Sequence, residues 1–250
     1  MLKIFFYDAI RWQDLLNAIS TLREEVEFKI SPERMQLRAM DDSHTAMVDM
    51  DLSKPFFDKY ECNKSTDLRF NLNSVLKILQ GVTSNESIEM MYNEEQARII
   101  INLQGEYERI FNLITLPVEN EFEREPKGTF KVKAQLQTPS LKKVITDSQK
   151  MGDQIVIKSN SESITFHTIG LSGNVLSTFK RGEAPIVDLS VTAESEATYN
   201  LDLLGTIIKN LVSISDVTNL DYSTNHVLRL GSIFPNGKLN FYLSPMLDTI

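Results

Sequence analysis

The sequence predicts an α+β protein in which two similar halves of antiparallel sheet each carry two helices. Three observations predict this fold: four stretches with helical spacing of apolar residues, many stretches of alternating apolar and polar residues, and a pattern that occurs twice. Apolar residues at i, i+3, i+4 and i+7 mark one buried helical face, whereas alternation with period two marks a half-buried strand. Hydrophobic residues make up 42% and charged residues 24% of the chain, which is typical of a folded globular protein.

The helices are predicted from four amphipathic stretches, two in each half. They cover about 12–19, 72–79, 141–148 and 201–208. Asn71 and Ser140 stand where helix N-caps are expected, and Pro139 is expected to end the preceding strand. Strands are predicted from alternation at 35–39, 46–52, 99–103, 130–136, 164–166 and 239–243.

The repeated pattern is clearest where a strand leads into a helix. Phe-Asn-Leu-Asn begins at Phe70, and Tyr-Asn-Leu-Asp begins 129 positions later at Tyr199. The segments that begin at Met35 and Ile164 are similar at the same offset. Two similarities at one offset indicate a single supersecondary unit used twice.

The repeat predicts two domains joined by a linker. We expect an N-terminal domain at 1–116, a linker at 117–128 and a C-terminal domain at 129–250. The linker contains two prolines, a glycine and four glutamates, a composition that disfavours a packed element.

The charge of the chain is unevenly distributed. With 26 basic and 34 acidic residues the net charge is −8, which should repel nucleic acid. The polar faces of the predicted helices are nevertheless basic, because only Asp14 offsets four lysines. These are Lys77, Lys143, Lys150 and Lys209. For any single helix, an ordinary solvated face is the alternative interpretation.

The sequence offers little to an enzyme. It has no phosphate-binding loop, no G-x-G-x-x-G and no G-x-S-x-G, and its three histidines lack zinc-ligand spacing. Cys62, the single cysteine, fits a reducing compartment, and no apolar run approaches the length of a membrane span. We therefore expect no catalytic residue, no metal ligand, no cofactor and no membrane segment.

Three segments resemble the proliferating cell nuclear antigen (PCNA) family, the DNA sliding clamps of archaea and eukaryotes. They are Leu-Arg-Ala-Met-Asp-Asp-Ser-His from Leu37, Asn-Leu-Asn-Ser from Asn71 and Tyr-Leu-Ser-Pro from Tyr242. The doubled half, the acidic linker and the length agree with this resemblance. It implies a closed trimer of two-domain subunits, with sheet outside and a ring of helices around duplex DNA.

The resemblance implies three kinds of site. Lys77, Lys143, Lys150 and Lys209 match basic positions that face DNA in the family, although the first helix has Gln13 and Asp14 where the family usually has lysine. A groove for client peptides is implied at Met40, His44, Thr45, Val118, Phe122, Tyr242, Ser244, Pro245 and Met246. Subunit contacts are implied between a strand over 109–116 and one over 173–180, at Arg109, Ile110, Phe111, Leu113, Val175, Ser177 and Phe179.

These observations predict a non-enzymatic DNA sliding clamp located inside the cell, in the cytoplasm of an archaeon or the nucleus of a eukaryote. The implied partners are double-stranded DNA, bound without sequence preference, and DNA polymerase, clamp-loader, nuclease and ligase clients. A homotrimer is expected. The alternatives are a specialised subunit of a mixed or checkpoint-type ring, and a peptide-binding scaffold without a DNA role. A hydrolase is the remotest possibility.

Overall fold

The computed structural model describes residues 2–120, 122–126 and 128–247. Its contacts divide the chain into two compact units. Unit 1 comprises Met1–Arg124 and Ile233–Leu239, and unit 2 comprises Glu125–Ser232 and Asn240–Ile250. Glu121 and Lys127, two residues of the predicted linker, lie outside the described residues.

In the described part of unit 1, nine strands and two α-helices follow one another along the chain. They are β1 (Leu2–Phe6), α1 (Ala9–Ile19), β2 (Glu25–Ile30), β3 (Arg34–Met40), β4 (Ala46–Ser53), β5 (Lys59–Cys62), β6 (Thr66–Asn71), α2 (Leu72–Leu79), β7 (Ser87–Asn93), β8 (Arg98–Gln104) and β9 (Glu108–Ile114). A short 3-10 helix at Lys54–Phe56 precedes β5.

The remaining elements repeat that order. They are β10 (Val132–Gln137), α3 (Thr138–Ser148), β11 (Gln154–Ser159), β12 (Ser163–Gly170), β13 (Gly173–Lys180), β14 (Ile186–Val191), β15 (Ser195–Asn200), α4 (Leu201–Ile214), β16 (Val217–Tyr222), β17 (Leu228–Phe234) and β18 (Gly237–Leu243). The division between units falls within the last two strands.

The strand pairing also repeats, and the pairs are antiparallel. The order β5-β1-β7-β8-β9 in unit 1 corresponds to β14-β10-β16-β17-β18, and β4-β3-β2-β6 corresponds to β13-β12-β11-β15. The twice-used unit predicted from the sequence is therefore present, and the α+β class is confirmed.

The two helices that follow the repeated segments begin in the same way. The side chain of Asn71 accepts a hydrogen bond from the backbone N–H of Ser74 (3.0 Å), and that of Asn200 accepts one from Leu203 (2.9 Å). These amides satisfy backbone donors that have no acceptor within the helix. The N-cap predicted at Asn71 is confirmed.

The start of α3 differs from the prediction. The helix begins at Thr138 after Gln137, so Ser140 lies within the first turn and Pro139 belongs to the helix. Proline suits this position because its missing N–H would have had no helical acceptor. The buried hydroxyls of Thr138 and Thr218 share a hydrogen bond of 2.9 Å, which fixes the start.

The helical faces predicted to be buried form much of the core. Trp12, Leu16 and Ile19 of α1 are fully buried, and the ring of Trp12 stacks on Phe6 at 5.7 Å. In α4, Ile207 is also buried. In the described residues no helix is long and apolar enough to cross a membrane, and no group of three or more histidine, cysteine, aspartate or glutamate side chains could hold a metal ion.

Candidate nucleic-acid, peptide and subunit sites

The helix pair of unit 2 carries most of the exposed lysines predicted to face DNA. Lys143 is exposed on α3, Lys150 is exposed in the turn that follows α3, and Lys209 is exposed on α4. Gly205 of α4 leaves room for the side chain of Gln149, which follows α3, because a Cβ atom at Gly205 would lie 2.4 Å from the amide nitrogen of Gln149. The helices thus present a shared basic, polar surface.

One of these lysines is paired with the end of the helix that precedes it. The ammonium of Lys150, in the turn after α3, lies 2.5 Å from the carboxylate of Asp147 in the last turn of α3. The hydrogen bond from Lys150 lowers the pKa of Asp147 below its ordinary value. Both side chains are exposed, so the pair orients the ammonium without removing it from solvent.

The helix pair of unit 1 is polar but much less basic. Lys77 is exposed on α2, and the groove beside it is lined by the side chains of Gln13, Asn17, Asn73 and Gln80. The amide nitrogen of Gln13 donates to the backbone carbonyl of Leu79 (2.9 Å), which satisfies the end of α2. Gln13 therefore has a structural contact that connects α1 to the end of α2.

The predicted peptide-groove residues fall into a set from unit 1 and a set from unit 2. In unit 1, Met40 ends β3, and His44 and Thr45 lie in the following loop. Asp41 organises this loop by accepting hydrogen bonds from the backbone N–H groups of Thr45 (2.8 Å) and Ala46 (2.7 Å). The two adjacent aspartates at 41–42 thus belong to a turn between β3 and β4.

The electrostatics of the loop follow from these contacts. Burial disfavours the charged form of Asp41, but hydrogen bonds from Ser43, Ala46 and Thr45 outweigh it and lower the pKa below its ordinary value. His44 has a φ of 55°, and its backbone N–H donates to the carbonyl of Asp41 (3.0 Å). The imidazole is exposed.

The linker contributes two further unit 1 residues. The side chains of Val118 and Phe122 are exposed to 38% and 36%. The guanidinium of Arg38 lies 5.0 Å from the ring centroid of Phe122, within cation–π range. Phe122 is therefore seated on a strand side chain with part of its ring still open to solvent.

The unit 2 set surrounds the end of β18. Tyr242 is only 2% exposed, and its hydroxyl donates to the carboxylate of Glu125 (2.6 Å). The backbone N–H of Met246 donates to the carbonyl of Thr198 (2.8 Å). Pro245 is half-buried and Ser244 exposed, so the chain after Tyr242 lies along the edge of β15.

An ion pair in unit 2 lies close to Tyr242. Arg229 contacts the buried carboxylate of Asp221 at 2.5 Å and lies 4.9 Å from the ring centroid of Phe130. Burial raises the pKa of Asp221, although Arg229 opposes the rise. The interactions of Arg229 with Asp221 and Tyr242 raise its own pKa against the opposing effect of burial.

The strands predicted to join subunits lie at the ends of their sheets. In β9, Phe111 and Leu113 are half-buried, whereas Ile110 and Ile114 are 56% and 72% exposed. The strand ends at Ile114, two residues before the predicted end.

The second strand predicted to join subunits, β13, has a similar alternation. Phe179 is buried and Val175 and Ser177 are half-buried, whereas Leu176 on the other face is 62% exposed. Both strands therefore combine a packed face with apolar side chains in solvent.

Two groups of site residues were missed from the sequence. Lys142 is exposed on α3 beside the predicted lysines and lines the groove between α3 and α4, and its helical position could have identified it. The charged strand residues Glu27, Arg38 and Arg69 contact the linker. Of the three, only Arg38 lies in a predicted strand, at 35–39, and the alternation there gave no sign of a contact with the linker.

The twice-used unit, with two helices in each half, defines the class of DNA clamp folds, and comparison with solved structures agrees. PCNA from Thermococcus kodakaraensis superimposes with a TM-score of 0.93 at 22% identity, over 98% of this chain and 100% of that one. PCNA from Entamoeba histolytica gives a TM-score of 0.91 at 19% identity, over 98% and 99%.

Sequence relatives identify the family. The model of the proliferating cell nuclear antigen N-terminal domain matches residues 1–122. DNA polymerase sliding clamps from Thermofilum pendens and Thermococcus gammatolerans are both 28% identical, over 249 and 248 residues; the first match covers 99% of this chain and all of the relative, and the second covers 98% of each. The N-terminal half therefore belongs to the PCNA family, and the whole chain is related to the DNA sliding clamps.

Proposed function

We infer that this protein is a DNA sliding clamp, a ring that encircles duplex DNA and tethers DNA polymerase to it. One observation carries this inference. The chain is built from a twice-used unit and is similar over nearly its full length to DNA polymerase sliding clamps. Such a protein acts by topology and binding. We propose that it catalyses no reaction itself.

We propose that the helix pairs line the hole of the ring and that their lysines meet phosphates. A sliding protein needs contacts with the backbone and none with base edges, because base contacts would fix it at one sequence. Exposed lysines on α3 and α4 supply such contacts, and the net charge of −8 disfavours adsorption of DNA elsewhere. The DNA-facing residues proposed are Lys77, Lys143, Lys150 and Lys209, with Lys142 added.

We propose that the ring closes when β9 of one copy joins β13 of the next. Unit 1 contains a contact that supports this: Lys238 lies 2.8 Å from Asp49 of β4, and Ser53 donates to the carbonyl of Asn236 (2.8 Å). The internal repeat relates β4 to β13, and the hairpin before β18 to the hairpin before β9. If β9 of one copy joins β13 of the next in the same way, the copies associate head-to-tail. They form a ring when successive rotations return to the first copy, as in the trimer expected from the family.

We propose that clients bind at the peptide-groove residues that the sequence resemblance implies. Polymerases, loaders, nucleases and ligases would each present a short peptide with one aliphatic and two aromatic side chains. Anchors of that kind supply most of the binding free energy of small interfaces. Met40, half-buried beside the exposed His44 and Thr45, supports this placement.

Charge reversal on α3 and in the turn that follows it tests the DNA contact. We expect Lys143→Glu with Lys150→Glu to abolish processive primer extension on a long template while the assembly keeps its size, since repulsion replaces attraction at the phosphates. The loss should be largest at low salt, where charges are least screened. Lys54→Glu with Lys131→Glu, which reverses two exposed lysines outside the four α-helices, should extend primers normally. Full-length products from an intact K143E/K150E assembly would contradict the proposed DNA face.

A further inference from the structure

The linker is held against unit 1 by three charged strand side chains. Arg69 donates to the carbonyl of Pro117 (3.2 Å) and pairs with the carboxylate of Glu119. The carboxylate of Glu27 accepts hydrogen bonds from the backbone N–H groups of Glu119 (2.7 Å) and Asn120 (3.2 Å). Side chains of β2 and β6 thus hold the linker backbone at three positions, Pro117, Glu119 and Asn120.

Arg38 of β3 holds the next part of the linker. Its guanidinium donates to the carbonyl of Glu123 (3.2 Å) and lies against the ring of Phe122. The same group donates twice to Asp49, at 2.8 and 3.0 Å, and Asp49 is only 2% exposed. Because Asp49 fixes the guanidinium plane, Arg38 offers the linker a preorganised donor and a flat cation.

These contacts reach the proposed peptide groove. Arg38, Glu27 and Arg69 line one small polar cavity together with Met40 and His44, and the linker closes it with two glutamates, Glu119 and Glu123. A shift of the linker would therefore change the surroundings of the groove residues. Glu27 is 9% exposed, so its carboxylate is largely screened from solvent by the segment it binds.

We propose that Arg38, assisted by Glu27 and Arg69, positions the linker so that Phe122 and Val118 are held ready to receive a client peptide. The inference rests on the proposed function, since it concerns the same groove. An ordered linker binds more tightly than a loose one because less conformational entropy is lost on association. Arg38 is a positioning residue here: it acts through Phe122 and Glu123 and not through direct contact with the client.

Proteolysis measures the position of the linker without any client. A glutamate-specific endopeptidase has cleavage points after Glu119 and Glu123, and cleavage of a held segment follows the population of its open form. We expect Arg38→Ala to accelerate linker cleavage about tenfold, the factor equivalent to losing one hydrogen bond and a cation–π contact. Arg34→Ala is the matched control. Arg34 lies on the same strand as Arg38 and pairs with a carboxylate of the neighbouring strand, Asp51 of β4, at 3.0 Å.

Peptide affinity measures whether the position of the linker affects client binding. In a titration with a synthetic peptide carrying one aliphatic and two adjacent aromatic anchors, we expect Arg38→Ala to raise Kd about tenfold, equivalent to the same lost contacts, and Arg34→Ala to leave it within about twofold. Arg38→Lys separates positioning from stability. Lysine keeps the charge beside Asp49 but lacks the planar fork, so the melting temperature should be retained while cleavage and Kd still rise.

The outcomes distinguish this inference from the proposed function. Unchanged cleavage of R38A would show that Arg38 does not hold the linker. Faster cleavage with unchanged peptide affinity would show that linker position does not set affinity. If the wild-type chain bound no peptide, the proposed groove itself would be refuted, together with the role of Arg38 in affinity, whereas the cleavage result would still stand.

Discussion

Asp41 shows how one carboxylate gives a loop its shape. It accepts hydrogen bonds from two backbone N–H groups and from the hydroxyls of Ser43 and Thr45. Met40 immediately precedes it, and His44 and Thr45 lie within the loop it organises. The charge of a single side chain therefore maintains the surroundings of three proposed groove residues.

The lowered pKa of Asp41 predicts a pH dependence. A carboxyl whose pKa is lower in the folded state stabilises the fold above its unfolded pKa of about 3.9 and loses that effect as pH falls through the folded value. We expect Asp41→Asn to lower the free energy of unfolding at pH 7, with the difference shrinking below about pH 4. Urea unfolding at several pH values measures this. A difference that persisted unchanged in acid would mean that the charge of Asp41 is not the cause.

At the scale of elements, the two strand-to-helix junctions allow a matched test of capping. Asn71→Ala and Asn200→Ala each remove an amide that accepts from a helical N–H, so each should cost about 1 kcal/mol. Ser140→Ala should cost less than about 0.5 kcal/mol, because Ser140 lies inside α3 and caps nothing. Thermal unfolding of the three variants compares them directly. A loss for S140A equal to the others would contradict the observed start of α3.

The elements also show what local sequence could predict. Apolar spacing located all four helices, and the 129-residue offset identified two equivalent junctions, because each signal lies within a few residues of chain. The start of α3 was misplaced since a buried contact between Thr138 and the distant Thr218 decides it. Alternation assigned Asp49 to a polar face but did not show that Arg38 and Lys238 would enclose it.

The linker contacts were beyond prediction for the same reason. Its composition indicated a linker and not a packed element, and the four glutamates gave no sign of which would find a partner. Glu119 meets Arg69 only because β6 places that arginine beside the end of the first domain. Contacts between residues far apart in sequence depend on the assembled sheet, and a pattern read along the chain does not contain them.

At the scale of the whole molecule, the two edge strands predict self-association. Isolated sheet edges with exposed apolar side chains favour pairing with another chain. We expect the protein to sediment as about three chain masses, and Phe111→Asp to give a folded but smaller species, because a carboxylate would be buried at the joined edge. Tyr7→Asp introduces the same charge at an exposed aromatic outside both edges and should keep the full assembly. An unchanged sedimentation profile for F111D would remove β9 from the interface.

A ring that encircles DNA is held by topology and not by affinity. The most direct test of the central claim is to load the protein onto a nicked circular duplex with its clamp loader, isolate the complex by gel filtration, and then cut the circle once. We predict that the protein stays with the circle at a salt concentration that screens phosphate contacts and is released when the DNA becomes linear, because it slides off the ends. Equal retention on circular and linear DNA would contradict a sliding clamp.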